Sequence, residues 1–384
     1  MIWNLVKREC QRMWHNGIYG FSMLLMPIAV LLFFTSLMGD GQPHDMPIGV
    51  VDLDHSSTSR NLVRRLDAFQ ASRVAGCYNS VGEARRAMQG NKIYAFLLIP
   101  EGTASQLKSA RQPQLSFYYS MASLTSGALL YKDLKTILTL GSAAAGQATL
   151  SAKGMTPRQQ MAFLQPIAID LHQLHNPWTN YSIYLSTMLI PGILLLFVML
   201  TTTYSIGTEF KDNTQREWLS QAGGSTIRAV TGKLLPQTLV FLTLMYLYMG
   251  YIFGVLHFPH DGGWLPLFLL GLLSVTAAQG FGIFAFALAP SLRMSMSVCS
   301  LWGVVSFSIV GTAFPVTAMD APLQLLSWLF PLRHHFLIYE TCIFNAFPLH
   351  FAWPHWVALL AFCLLPLPLM GRLKRAIGSF TYTE

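Results

Sequence analysis

The chain has 384 residues, of which 53% are hydrophobic and only 11% charged, with a net charge of +8. A soluble domain carries about 25% charged residues. With a mean hydropathy of +0.43, that shortfall excludes an ordinary cytosolic enzyme and points to membrane helices diluted by a soluble domain. The 29 glycines and 20 prolines exclude collagen-like and low-complexity classes, and the five cysteines lack C-x-x-C spacing, so they form neither a disulfide framework nor a zinc signature.

Residues 1–16 open the chain. On a helical wheel Lys7, Arg8, Gln11, Arg12 and His15 share one arc, and Ile2, Trp3, Leu5, Val6, Cys10, Met13 and Trp14 fill the other; Glu9 is the exception. This predicts an interfacial amphipathic helix with basic groups toward headgroups and tryptophans at the boundary. The competing reading is a short helix packed on a partner protein. Residues 17–38 follow without a charge, long enough to cross a bilayer core. The run is too long for a signal-peptide core and no A-x-A site follows, which favours an uncleaved anchor.

Residues 39–177 are polar and read as an external α/β domain inserted after the first span. Strands are expected at 46–52, 73–78, 93–99 and 115–119, helices at 56–69, 80–89 and 123–150, and a closing strand near 167–171. Asp52 and Asp54 fit turn and cap chemistry.

Residues 178–371 hold five more uncharged runs, at 178–207, 234–258, 264–289, 294–314 and 353–371. The fold class is therefore an α-helical polytopic membrane protein with six transmembrane helices plus the external α/β domain. Within this region lie a cytoplasmic loop, 208–233, and an external re-entrant segment, 315–352. In the latter the apolar stretch 323–330 is bracketed by Pro322 and Pro331 and is too short to span. Residues 372–384 form a tail. Eleven Lys and Arg lie in the short segments on one side of the spans and only Arg333 on the other. Positive residues in short loops stay cytoplasmic, so both termini are expected there.

The chemistry is sparse. Thr231-Gly232-Lys233-Leu234 is a P-loop decoy: the lysine is not followed by Ser or Thr, and Ile227 stands where the leading glycine belongs. No nucleotide site, catalytic residue or metal site is expected. The adjacent His334 and His335 do not make the i,i+4 pair of a zinc site. Gln237 and Gln279 fit interhelical hydrogen bonds or positions near the interface. With no charge inside the six runs, the energy source is expected in another subunit. The segment from Glu209 to Leu219, dense in both charge signs and carrying Trp218, has two readings: a solvated connector, or a helix offering Trp218 and Leu219 to a partner's groove with Lys211, Arg216 and Glu217 around it.

The ordered motifs resemble the type 2 ABC exporter permeases of bacteria over nearly the whole chain. Pro47 to Ser59 is similar to that family's opening strand and Asp-x-Ser turn, and Gly90 to Pro100 to its "G-K-x-x-A-x-L-x-I-P" strand. Glu209 to Leu219 sits where the family has its coupling helix. Thr231 to Pro236 resembles its "G-K-x-x-P", and Phe314-Pro315-Val316 to Met319 with Phe330-Pro331-Leu332-Arg333 its "F-P-x-x-x-M … P-L-R" region. One departure stands in the cytoplasmic loop: where the family often reads "E-R-E-x-G-T", Asn213 replaces the glycine.

The resemblance implies a half-transporter in the bacterial inner membrane with its large domain periplasmic. Two permease chains, identical or paralogous, would work with cytoplasmic ABC ATPase subunits, which would bind the ATP and Mg; this chain needs no cofactor and no nucleic acid. Glu209, Lys211, Arg216, Glu217, Trp218 and Leu219 would couple to the ATPase. Trp3, Lys7, Arg8, Arg12 and Trp14 would form the interfacial helix, and Phe314, Pro315, Pro331, Arg333 and Glu340 an external gate. A lipophilic or amphipathic substrate would leave outward by alternating access, with a periplasmic adaptor and outer-membrane channel as further partners in a multidrug-exporter-like system. Two other classes remain: a membrane-anchored scaffold acting through its external domain, and an ion-coupled carrier.

Overall fold

The structure, a computed structural model, describes residues 2–109, 111–167, 170, 172, 176 and 179–379. It divides into two compact units, residues 1–41 with 173–384, and residues 42–172. In chain order, α1 (Ile2–His15) leads to the first long apolar helix, α2 (Gly17–Leu37), whose stretch Phe21–Leu25 is π-helical.

The unit of 42–172 is built on a four-stranded sheet. It contains β1 (Met46–Asp52), α3 (Ser57–Asp67), β2 (Ser72–Cys77), α4 (Val81–Gln89), β3 (Ala95–Ile99), α5 (Thr103–Lys108), β4 (Ser116–Tyr119), α6 (Leu124–Ala152) and α7 (Pro157–Leu164). Strand order is β2-β1-β3-β4, with β1 parallel to β2 and β3, and β3 antiparallel to β4. Side chains alternate along each strand, so Ile48, Val50 and Leu97 pack with Leu66 of α3 and Leu130 and Leu134 of α6, while Val51 and Phe96 pack with Ala84 and Ala87 of α4. Ser56 caps α3, its Oγ accepting from Ser59 N at 3.0 Å. The short α5 and α7 were not expected from the sequence. The expected strand near 167–171 falls largely outside the described residues.

The other unit continues with α8 (Tyr181–Lys211), α9 (Gln215–Gln221), α10 (Thr226–Met249, running on as a π-helix to Val255), α11 (Trp264–Leu288), α12 (Leu292–Ile309), α13 (Ala321–Ser327), α14 (Pro331–Ile338), α15 (Trp353–Leu364) and α16 (Met370–Ser379). Among the described residues six helical stretches are long and apolar enough to cross a membrane. Their cores match the six runs but their ends differ. Helices α8 and α10 extend through Glu209–Lys211 and Thr226–Lys233, which the sequence assigns to a loop, and α12 stops at Ile309, short of the expected 314. The segment 323–330 forms α13 and a turn into α14.

Candidate functional site

Where α1 meets the last turn of α8 and the first turns of α10, six charged side chains converge. Lys233 on α10 donates from Nζ to Glu9 Oε2 and to Glu209 Oε1, both at 2.7 Å. Arg8 Nη2 donates to Glu209 Oε2 at 3.0 Å, and Arg12 bridges Glu209 and Asp212. Glu9 Oε1 also accepts from Gln237 Nε2 (2.8 Å), Ser205 Oγ (3.0 Å) and the Tyr19 hydroxyl (3.3 Å). Thr214 Oγ1 donates to Glu209. Glu9 and Lys233 are each 2% exposed and Glu209 is fully buried.

Ions at this depth are tolerated only when paired and hydrogen-bonded. Here three carboxylates, Glu9, Glu209 and Asp212, face three cations, Arg8, Arg12 and Lys233. Beneath the ions lies an apolar cluster of Leu5, Phe210, Trp218, Val230, Phe286 and Ile377, which joins α1, α8, α9, α10, α11 and α16.

The sequence reads Lys233 as part of a nucleotide-motif decoy. The structure explains Gly232-Lys233 differently: the lysine is the shared cation, and the glycine lets α1 approach. A Cβ on Gly232 would stand 2.9 Å from Leu5 Cβ and 3.0 Å from Leu5 Cδ1. Asn213 likewise has a local reason. It adopts φ +56°, the left-handed region that glycine enters freely and asparagine more readily than other residues.

Two orientations differ from the sequence reading. On α1, Arg8 and Arg12 turn inward to Glu209, because a buried carboxylate binds them more strongly than water does. Lys7 stays exposed, as do Trp3 (74%) and Trp14 (88%). On α9, Trp218 is not offered outward. It is 1% exposed, its Nε1 donates to Ala229 O at 3.2 Å, and Lys233 Nζ lies 5.6 Å from its ring centroid.

The exposed groups of this region are Lys211, Arg216 and Glu217, with Leu219 half-buried. Arg216 Nη2 donates to Gly378 O of α16 at 2.9 Å, and Glu217 accepts from Gln221 Nε2 at 2.9 Å.

The second residue group expected from the sequence is dispersed. Pro331 opens α14 and Arg333 lies buried in its first turn, whereas Phe314, Pro315 and Glu340 are exposed. Among the described residues no hydrogen bond or ion pair joins these three to Arg333. His334 Nδ1 lies 3.0 Å from His355 Nδ1, and His335 Nδ1 lies 2.7 Å from Ser274 Oγ. Burial pushes the imidazoles of His334 and His335 down to about 4.

Sequence reasoning missed Glu9, Lys233, Ser205, Gln237 and Tyr19 as one site. The available signal was Glu9, a carboxylate on the apolar arc of its helix.

Comparison with known proteins supplies the family. Residues 18–371 match the family described as ABC-2 family transporter protein. Over 333 residues, 87% of this chain and 87% of the relative, the sequence is 18% identical to the probable multidrug ABC transporter permease YbhR of Escherichia coli strain K12, and the same values hold for that of Escherichia coli O157:H7. The family implies a membrane subunit that works with ABC ATPase subunits, in agreement with the six apolar helices. The chain is thus a multi-pass membrane protein and belongs to the ABC-2 family of transporter proteins.

Proposed function

We propose that the chain is the permease half of an ATP-driven exporter in a bacterial inner membrane. Two such chains, identical or paralogous, carry a lipophilic or amphipathic substrate outward by alternating access, driven by separate cytoplasmic ATPases that bind ATP and Mg. Both termini face the cytoplasm and residues 39–177 face the periplasm, where an adaptor leading to an outer-membrane channel is a further partner. The relative's name, a probable multidrug ABC transporter permease, supports the substrate class.

The observation that carries this reading is the buried ion cluster. It ties α1, the end of α8 and the start of α10 into one solid body, while the neighbouring α9 leaves Arg216 and Glu217 exposed. Force applied to such a body moves several spans together. Trp218 serves as its core, and the polar edge of α9 as its contact with the ATPase.

The test uses the full chain co-purified with its ATPase in proteoliposomes. Efflux should be vanadate-sensitive. Arg216→Glu, which gives up one exposed hydrogen bond to Gly378 O, should shift the unfolding temperature little and lower transport-coupled ATP hydrolysis about tenfold, equivalent to ~1.4 kcal/mol. Efflux that resists vanadate and collapses with the proton gradient would identify an ion-coupled carrier instead. Unchanged coupling in Arg216→Glu would remove α9 from the contact.

A further inference from the structure

Arg333 is 8% exposed, and among the described residues it has no anionic neighbour. Its Nε and Nη1 are enclosed without a hydrogen-bond partner. What it does have is the face of Trp328, with Cζ 5.9 Å from the ring centroid. Enclosing part of a guanidinium without a counter-charge is costly.

The surroundings sharpen the conflict. Arg333 sits in the first turn of α14, where the helix dipole is positive and disfavours a cation. The nearby imidazoles supply no negative charge. His334 Nε2 lies 2.9 Å from Trp328 O, and a carbonyl only accepts, so that nitrogen carries the proton. His334 Nδ1 then accepts from His355 Nδ1, 3.0 Å away, so the His334 ring is neutral, and neither ring offers Arg333 a negative charge. The turn that leads into α14 exposes an apolar skirt of Leu325, Leu326, Trp328 and Leu329, of which Trp328 touches Arg333.

We propose that Arg333 anchors an anion-binding site that holds the acidic head of an amphipathic molecule, whose chain lies along Leu325, Leu326 and Leu329. The anion supplies the missing counter-charge and the skirt takes the hydrocarbon. An acidic lipid and an acidic cargo share this chemistry. The site's role in selecting cargo rests on the export reading above; its binding property does not.

The experiment therefore measures binding to the full chain in an uncharged detergent, without ATPase or ATP, and stands apart from the vanadate test. Thermal unfolding is followed against dodecyl phosphate, inorganic phosphate and dodecanol. Dodecyl phosphate should raise the wild-type unfolding temperature, with a half-effect concentration at least tenfold below that of inorganic phosphate. Arg333→Gln should weaken this response at least tenfold, and Arg333→Lys, which keeps the charge, by less. If Arg333→Gln does not fold, the wild type decides: an equal response to dodecanol overturns the site. An equal response to inorganic phosphate reassigns it to small anions and overturns the amphiphile. With dodecyl phosphate, undiminished binding in Arg333→Gln also overturns it. So does a wild-type dimer that ignores every probe and dissociates in Arg333→Gln, since a second copy then supplies the carboxylate.

Discussion

Among its described residues the membrane unit buries Lys and Arg in two places and treats them in opposite ways. At the α1–α8–α10 junction Lys233 is held by two carboxylates at 2.7 Å each, and every cation has an acidic partner. In the first turn of α14 Arg333 has an aromatic face, and among the described residues no carboxylate is paired with it. The first arrangement is complete within one chain and serves as a joint. The second is incomplete, and an incomplete buried charge is the physical signature of a group that waits for something else. Opposite charges in contact make structure; a charge left without its opposite makes a site.

The largest effect should come from breaking the complete cluster at its shared ion. Lys233→Met leaves Glu9 and Glu209 facing each other without their common cation, which should cost about 3–5 kcal/mol. The unfolding temperature in detergent should fall, and adding Glu9→Gln should recover a large part of the loss. A Lys233→Met protein as stable as wild type would show that the cluster is not a joint.

A smaller loss is expected from the close approach that seats α1. Gly232→Ala forces Leu5 away, an overpacking effect of roughly 1–3 kcal/mol. As α1 lifts, trypsin should cut at Arg8 and Arg12 faster than in wild type. Unchanged cleavage would mean that α1 is held by the ions alone.

An effect that vanishes at neutral pH and grows only on acidification sharpens the other side of the comparison. His335 is buried neutral, with its imidazole depressed from 6.5 to about 4 by burial. In that window the unfolded chain takes up a proton that the folded chain refuses, so stability is present above pH 6.5 and is lost as pH falls toward 4. The contribution is about 1.4 kcal/mol per pH unit for one such group. His335→Gln should flatten the decline of unfolding temperature by that slope; parallel curves would place the loss in other groups.

Much of this was legible in the sequence. The six apolar runs locate the cores of six helices, because twenty uncharged residues have few other uses. The strands of 42–172 follow from their short runs of β-branched, aromatic and other apolar residues, and Ser56 and Ser80 cap helices through Ser59 N and Glu83 N. The ends of α8 and α10 were not legible. Glu209 and Lys233 read as loop residues because charge near a span normally means solvent, and only the fold brings together partners 24 residues apart in sequence. Arg8 and Arg12 were placed toward headgroups for the same reason, since a helical wheel shows which residues share a face but not what that face meets. Trp218 looked like an anchor for a partner because aromatic residues in charged loops often are, and burial against α10 decided otherwise. Arg333 was legible as an oddity, the lone basic residue among the short segments of its side. That no described residue is its counter-ion was visible only in three dimensions.

Helix α8 has a mechanical consequence. Its 31 residues make a rod about 46 Å long at 1.5 Å per residue. Near one end Glu209 is clamped by Arg8, Arg12 and Lys233. Farther toward its N-terminus, one residue short of Pro191, a Cβ on Gly192 would lie 2.9 Å from Leu332, the residue before Arg333. Gly192 and Glu209 are separated by a span of about 26 Å of continuous helix. A rod clamped at one point and touching at another acts as a lever, and the proline, which frees the turn beyond the contact, lets this arm move apart from the first turns of the helix. A tilt imposed at the ion cluster would arrive beside Arg333 as a displacement, with no intervening chain of small rearrangements needed to carry it.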